Sequence, residues 1–156
     1  MIGAEVVAAC RLVVAGALAV AAAGKFADRR STVERTVALL GGVGRPVAAL
    51  LPIVEVGLAV ALLAWWAPWP GIAAAALLAA FTAVLGHAYR RRLPCPCFGG
   101  AAIGRPPGTR EFVRNGLLVV AALFAIGSPA GARVIGAAAA TVTLGVLVAA
   151  VARPPR

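Results

Sequence analysis

Residues 46–89 read PVAALLPIVEVGLAVALLAWWAPWPGIAAAALLAAFTAVLGHAY, two long apolar runs joined by a tryptophan-rich turn. A helix needs about 20 apolar residues to cross the hydrocarbon core of a bilayer. The run 46–66 meets that length with Glu55 as its one charged residue. The run 71–89 stays apolar until His87. Between them stands Trp65-Trp66-Ala67-Pro68-Trp69-Pro70. Tryptophan concentrates at the membrane–water interface, and proline breaks a helix, so the pair reads as two spans and a tight turn.

Working outward, 4–24 is a third apolar segment, with Cys10 and Arg11 inside it. The start, Met1-Ile2-Gly3-Ala4-Glu5, lacks the positive side chain a signal peptide needs, so this segment is expected to be a retained helix. A shorter segment, 115–128, ends in Gly127-Ser128-Pro129-Ala130-Gly131, and 134–152 follows it. The short segment reaches full length by starting earlier, near Arg110, or by continuing through the Gly-Pro stretch. The fold class is an all-α integral membrane protein in a single domain over 1–156. Its spans are 4–24, 46–66, 71–89, 115–128 and 134–152, a bundle of five transmembrane helices with a cysteine-bearing loop after the third. The alternative is four, with the last two segments forming one broken helix. Bulk composition agrees, with 62% hydrophobic and 13% charged residues where a soluble domain carries about a quarter charged. Within 25–45, Val33, Val37, Leu39 and Leu40 are spaced to form an interfacial amphipathic helix.

The net charge of +10 would suggest nucleic acid in a soluble protein. Here the basic residues sit in the connections, where anionic lipid headgroups are their natural partners. Thirteen of the fifteen Lys and Arg lie in 25–45, in 90–114 and at the C-terminus, against Arg11 and Arg133 on the other side. By the positive-inside rule those connections face the cytoplasm of a bacterial inner membrane and the N-terminus faces out.

Chemistry concentrates in few residues. Cys95-Pro96-Cys97 precedes Phe98-Gly99-Gly100 in the longest connection, leaving Cys10 as the remaining cysteine. Arg90, Arg91 and Arg92 stand just upstream, and nearby positive charge favours thiolate, the nucleophile and metal ligand. A disulfide across one residue closes a small strained ring, which makes it labile rather than structural. Pro96 restricts the intervening backbone and leaves open whether the sulfurs face each other. The same two thiolates suit Cu(I), so Cys95 and Cys97 are also a candidate metal site. Two sulfurs and His87 fall short of a zinc shell. Two incidental thiols remain the plain alternative.

Glu55 lies mid-span, where a lone carboxylate costs on the order of 3 kcal/mol. Its candidate partners are Arg11 and Lys25. Antiparallel packing brings Arg11 within roughly 6 Å of the same depth, and the three form a candidate buried polar centre. A structural ion pair pinning two helices is an equal reading. His87 reads as a headgroup-level residue able to assist proton transfer. Arg114 and Asn115 open the fourth segment, as a snorkelling arginine and a helix cap. No nucleotide-binding or hydrolase motif is present.

Four features in order resemble the MauE family of methylamine utilisation membrane proteins, within the wider DoxX-like group. They are Gly24-Lys25-Phe26, Pro52-x-x-Glu55, Cys95-Pro96-Cys97-Phe98-Gly99 and Arg114-Asn115. The resemblance covers about residues 10–130, and its most specific part is the cysteine element. Pro96 departs from the small or variable residue expected between the cysteines. The resemblance implies thiol–disulfide chemistry in the maturation of a partner protein, with thioredoxin-like partners. It also implies disulfides made outside the cytoplasm, whereas charge counting puts Cys95 and Cys97 inside. A relay reconciles the two: the inner pair exchanges with a cytoplasmic partner while reducing equivalents cross the bilayer, with Cys10 nearer the outer face. The expected function is a membrane thiol–disulfide redox protein or its accessory subunit. The alternatives are Cu(I) handling and a non-catalytic assembly subunit. The cofactor is left open between quinone, Cu(I) and none.

Overall fold

The computed structural model describes residues 4–65, 67–92 and 108–127. Segment 134–152 and the Cys95–Cys97 pair lie outside the described residues. Within them the chain is all-helical: α1 Ala4–Ala27, α2 Arg29–Leu40, a 3-10 turn Gly41–Val43, α3 Gly44–Ala64, α4 Trp69–Arg91 and α5 Thr109–Phe124. Three stretches are long and apolar enough to cross a membrane, namely Ala4–Ala27, Arg29–Ala64 and Trp69–Arg91.

The connection 25–45 holds a helix, as its spacing predicts, but the inward face of that helix differs from the expected one. The α1 helix runs on to Ala27, and α2 begins two residues later, capped by Asp28, whose carboxylate accepts the Ser31 N–H at 3.1 Å. The buried face of α2 is Thr32 and Thr36, not the aliphatic set; Val33, Val37 and Leu39 are half-buried and Leu40 is exposed. Thr36 returns its hydroxyl hydrogen to the Thr32 carbonyl at 2.7 Å, so the inward face is self-satisfied. The reason is close approach. A Cβ at Gly44 would lie 2.5 Å from the Val37 Cα, so α2 and α3 touch backbone to backbone, with room for short side chains only. Gly41, at φ +64°, makes the reversal between them.

The bundle is antiparallel. The α1 helix buries Val7, Arg11, Val14, Leu18, Ala21 and Lys25, one stripe at alternating four- and three-residue steps. The α3 helix answers with Ala48, Pro52, Glu55, Ala59 and Leu62. Lipid tails are as apolar as leucine, so contact between such helices rests on close packing and small residues rather than on escape from water. Ala15, Ala19, Ala59, Ala74 and Ala122 supply that closeness around Leu18, Leu62 and Leu78. At Gly71 the start of α4 meets the Ala125 and Ile126 backbone, where a Cβ would lie 2.8 Å away. The α5 helix starts at Thr109, which agrees with the earlier start near Arg110 rather than with 115.

Candidate functional site

Three charged side chains sit on the inward stripes, and the structure divides them into two centres. Lys25 Nζ donates to both Glu55 oxygens, at 2.7 and 3.0 Å, with neither side chain exposed at all. The same ammonium lies 5.6 Å from the Phe81 ring centroid, on α4. An aromatic face attracts a cation, so Phe81 adds a second contact to the ammonium. Removing one partner of such a pair leaves an uncompensated buried charge, a loss of about 3–5 kcal/mol.

Of the two candidate partners of Glu55, the structure brings Lys25 and not Arg11 to the carboxylate. Helical side chains lean toward their own N-terminus. Lys25, near the C-terminal end of α1, leans inward. Glu55, in antiparallel α3, leans toward the end where Lys25 stands, so the two converge. Arg11 leans the same way as Lys25, which carries it away from Glu55, and it lies roughly 21 Å from Lys25 along α1 at 1.5 Å per residue. Its guanidinium donates instead to backbone carbonyls. Nε reaches Ala125 at 3.0 Å, Nη1 reaches Leu62 at 3.2 Å and Trp65 at 2.9 Å, and Nη2 reaches Ala67 at 2.8 Å and Gly127 at 3.2 Å. These carbonyls belong to the C-terminal ends of α3 and α5 and to the turn after α3, where helices leave acceptors unsatisfied and carry partial negative charge. Arg11 thus clamps three chain segments at one end of the bundle.

Asn115 is not a helix cap. The α5 N-cap is Gly108, whose N–H donates to Glu111 at 2.8 Å. That bond, with the backbone N–H of Glu111 itself adding to it, holds the Glu111 carboxyl below its ordinary range. Asn115 stands in the interior of α5, buried against α4. Its Nδ2 donates to the Leu78 carbonyl at 2.9 Å and to the Thr82 hydroxyl at 2.6 Å. Thr82 in turn donates to Leu78 at 2.9 Å. Asn115 Oδ1 is buried with no hydrogen-bond partner among the described residues. Phe81 and Thr82 have no sequence signature as site residues. Only the packing of α4 against α1 and α5 reveals them.

Cys10 neighbours Arg11 on α1, and the remaining candidates stand at the other end. Arg90, Arg91 and Arg92 are exposed at the end of α4, Arg92 closing it in the left-handed conformation at φ +54°. His87 and Arg114 are also exposed, and Cys10 is a half-buried free thiol. Tyr89 and Phe112 stack edge to face at 5.9 Å, which fastens the end of α4 to the start of α5. The connection between those two helices carries Cys95 and Cys97. Among the described residues no three His, Cys, Asp or Glu side chains gather to hold a metal.

A family model described as methylamine utilisation protein MauE matches residues 3–128. No curated protein and no solved structure matches the chain.

Proposed function

This chain belongs to the MauE family, and from that premise we propose that it is a membrane thiol–disulfide redox protein, or the accessory subunit of one, acting on a partner protein through Cys95 and Cys97. The observation that carries the reading is the position of these residues in the chain. Two of the three cysteines stand in one tripeptide, on the connection whose flanking helix ends are held together by Tyr89 and Phe112. Three exposed arginines precede them. Positive charge close to a thiol favours its thiolate, which is the attacking form.

The exchange balances within the sulfur atoms. The thiolate of one cysteine attacks a partner disulfide, forming a mixed disulfide and expelling the partner's second sulfur as thiolate. The other cysteine attacks the mixed disulfide, so that Cys95–Cys97 is oxidised and the partner leaves as a dithiol, its protons coming from water. Run backwards, the same steps oxidise the partner. Lys25 and Glu55 hold α1 against α3 beneath this end, and Arg11 holds the opposite end. In this reading they are positioning residues, and the arginine-bearing end faces the cytoplasm.

Single Cys95→Ser and Cys97→Ser variants test the proposal. Loss of the resolving thiol should accumulate a reductant-sensitive covalent complex with the partner, and both variants should fail to support partner maturation. Maturation at the wild-type level in both would end the redox reading. Stoichiometric Cu(I), about one per chain and lost with either cysteine, would replace it with metal handling. A stable complex indifferent to both substitutions would leave an assembly subunit.

A further inference from the structure

We infer that the end of the bundle opposite Arg11 is a binding surface for the headgroups of anionic phospholipids. The first ground is depth. Trp65 and Trp69, packed edge to face at 5.6 Å and both exposed, mark one membrane interface. A hydrocarbon core of roughly 30 Å equals about 20 helical residues. Counting that many residues back along α3 from Trp65 arrives at Arg45. Counting the same number forward along α4 from Trp69 arrives at Tyr89, next to Arg90. Two helices running in opposite directions therefore deliver arginine to the same opposite interface.

The second ground is charge. Arg29 and Arg30 open α2, Arg45 opens α3, and Arg90, Arg91 and Arg92 close α4, all of them exposed. The acids at this end are already engaged. Glu34 accepts from Arg30 at 3.0 Å, Asp28 caps α2 and Glu111 accepts from Gly108. At the other end Arg11 is 1% exposed and committed to carbonyls, so among the described residues no exposed basic side chain faces the tryptophan interface. The third ground is residue type. Every exposed basic side chain among the described residues is arginine, whose planar fork pairs two N–H groups with two phosphate oxygens. Lys25, the one lysine, is buried against Glu55.

The test uses the full chain in nanodiscs of equal parts phosphatidylglycerol and phosphatidylcholine, with the lipids that stay bound on transfer to detergent counted by mass spectrometry. Phosphatidylglycerol should be enriched severalfold over phosphatidylcholine. The enrichment should fall toward unity in a variant carrying Arg29→Gln, Arg30→Gln, Arg90→Gln, Arg91→Gln and Arg92→Gln. A matched variant, Val13→Gln with Val20→Gln on the exposed face of α1, should keep it, which separates lost binding from damaged folding. Equal retention of both lipids, or enrichment unchanged by the five arginine substitutions, would overturn the inference. Full displacement of the lipid by a soluble poly-glutamate peptide at equal charge would also overturn it, in favour of an acidic protein as the partner of this surface.

Discussion

Arg11, Lys25 and Glu55 show how much a single membrane-buried charge must be compensated. Glu55→Gln removes the charge that Lys25 needs and leaves a buried ammonium. Unfolding of the purified protein in detergent should then fall by about 3–5 kcal/mol. The double variant Lys25→Met, Glu55→Leu removes both charges from a sealed site and should recover most of that loss. A double variant as unstable as the single one would mean that the pair is not coupled as the geometry requires. Arg11→Lys keeps the charge but replaces a planar fork spread over five carbonyls with a point donor. It should cost on the order of 2 kcal/mol, because a lysine leaves several buried acceptors without partners. Glu111 gives a pH signature. Its carboxyl is held below its ordinary range by the Gly108 N–H, so its contribution is present above the unfolded value and is lost as pH falls through the lower folded one. Protection of the first α5 amides should therefore be lost only in acid below the ordinary carboxylate range, and Glu111→Gln should remove that step.

At the scale of elements, the helices meet where side chains are shortest. Gly44→Ala puts a methyl into the α2 backbone, which cannot give way as a flexible side chain would. Overpacking of this kind typically costs about 1–3 kcal/mol, and here it should also free α2, read as faster proteolysis between Asp28 and Gly44. Asn115 offers the contrary case. Its removal leaves the Thr82 hydroxyl still bonded to the Leu78 carbonyl, and it deletes an oxygen that has no partner among the described residues. Asn115→Ala should therefore cost under about 1 kcal/mol. A strong loss of partner maturation in that near-neutral variant would identify Asn115 as a functional rather than a packing residue.

At the scale of the whole molecule, the hydropathy of 46–89 was enough to read two spans and their turn, because length and apolar content alone decide that question. Glu55 was legible as a residue in need of a cation, since burial depth follows from its place in the run. Which cation was not legible. Depth favoured Arg11, and the choice of Lys25 rests on the lean of helical side chains and on the true ends of α1 and α3. The role of Asn115 turns on where α5 starts: the start near Arg110 that span length allows is close to the observed Thr109, and it moves Asn115 from cap to core. The threonine face of α2 was hidden as well, because an aliphatic pattern pointed to Val33 and Val37 while backbone proximity selected Thr32 and Thr36.

The most direct measurement is alkylation of Cys95 and Cys97 with a membrane-impermeant reagent, in intact cells and after lysis, with and without prior reduction. A redox pair on the arginine-bearing, cytoplasmic side requires that neither thiol label in intact cells, and that part of the population label after lysis only once reduced. Full labelling of both thiols after lysis without any reductant, under every growth condition, would contradict the redox role. Labelling from outside intact cells would contradict the orientation.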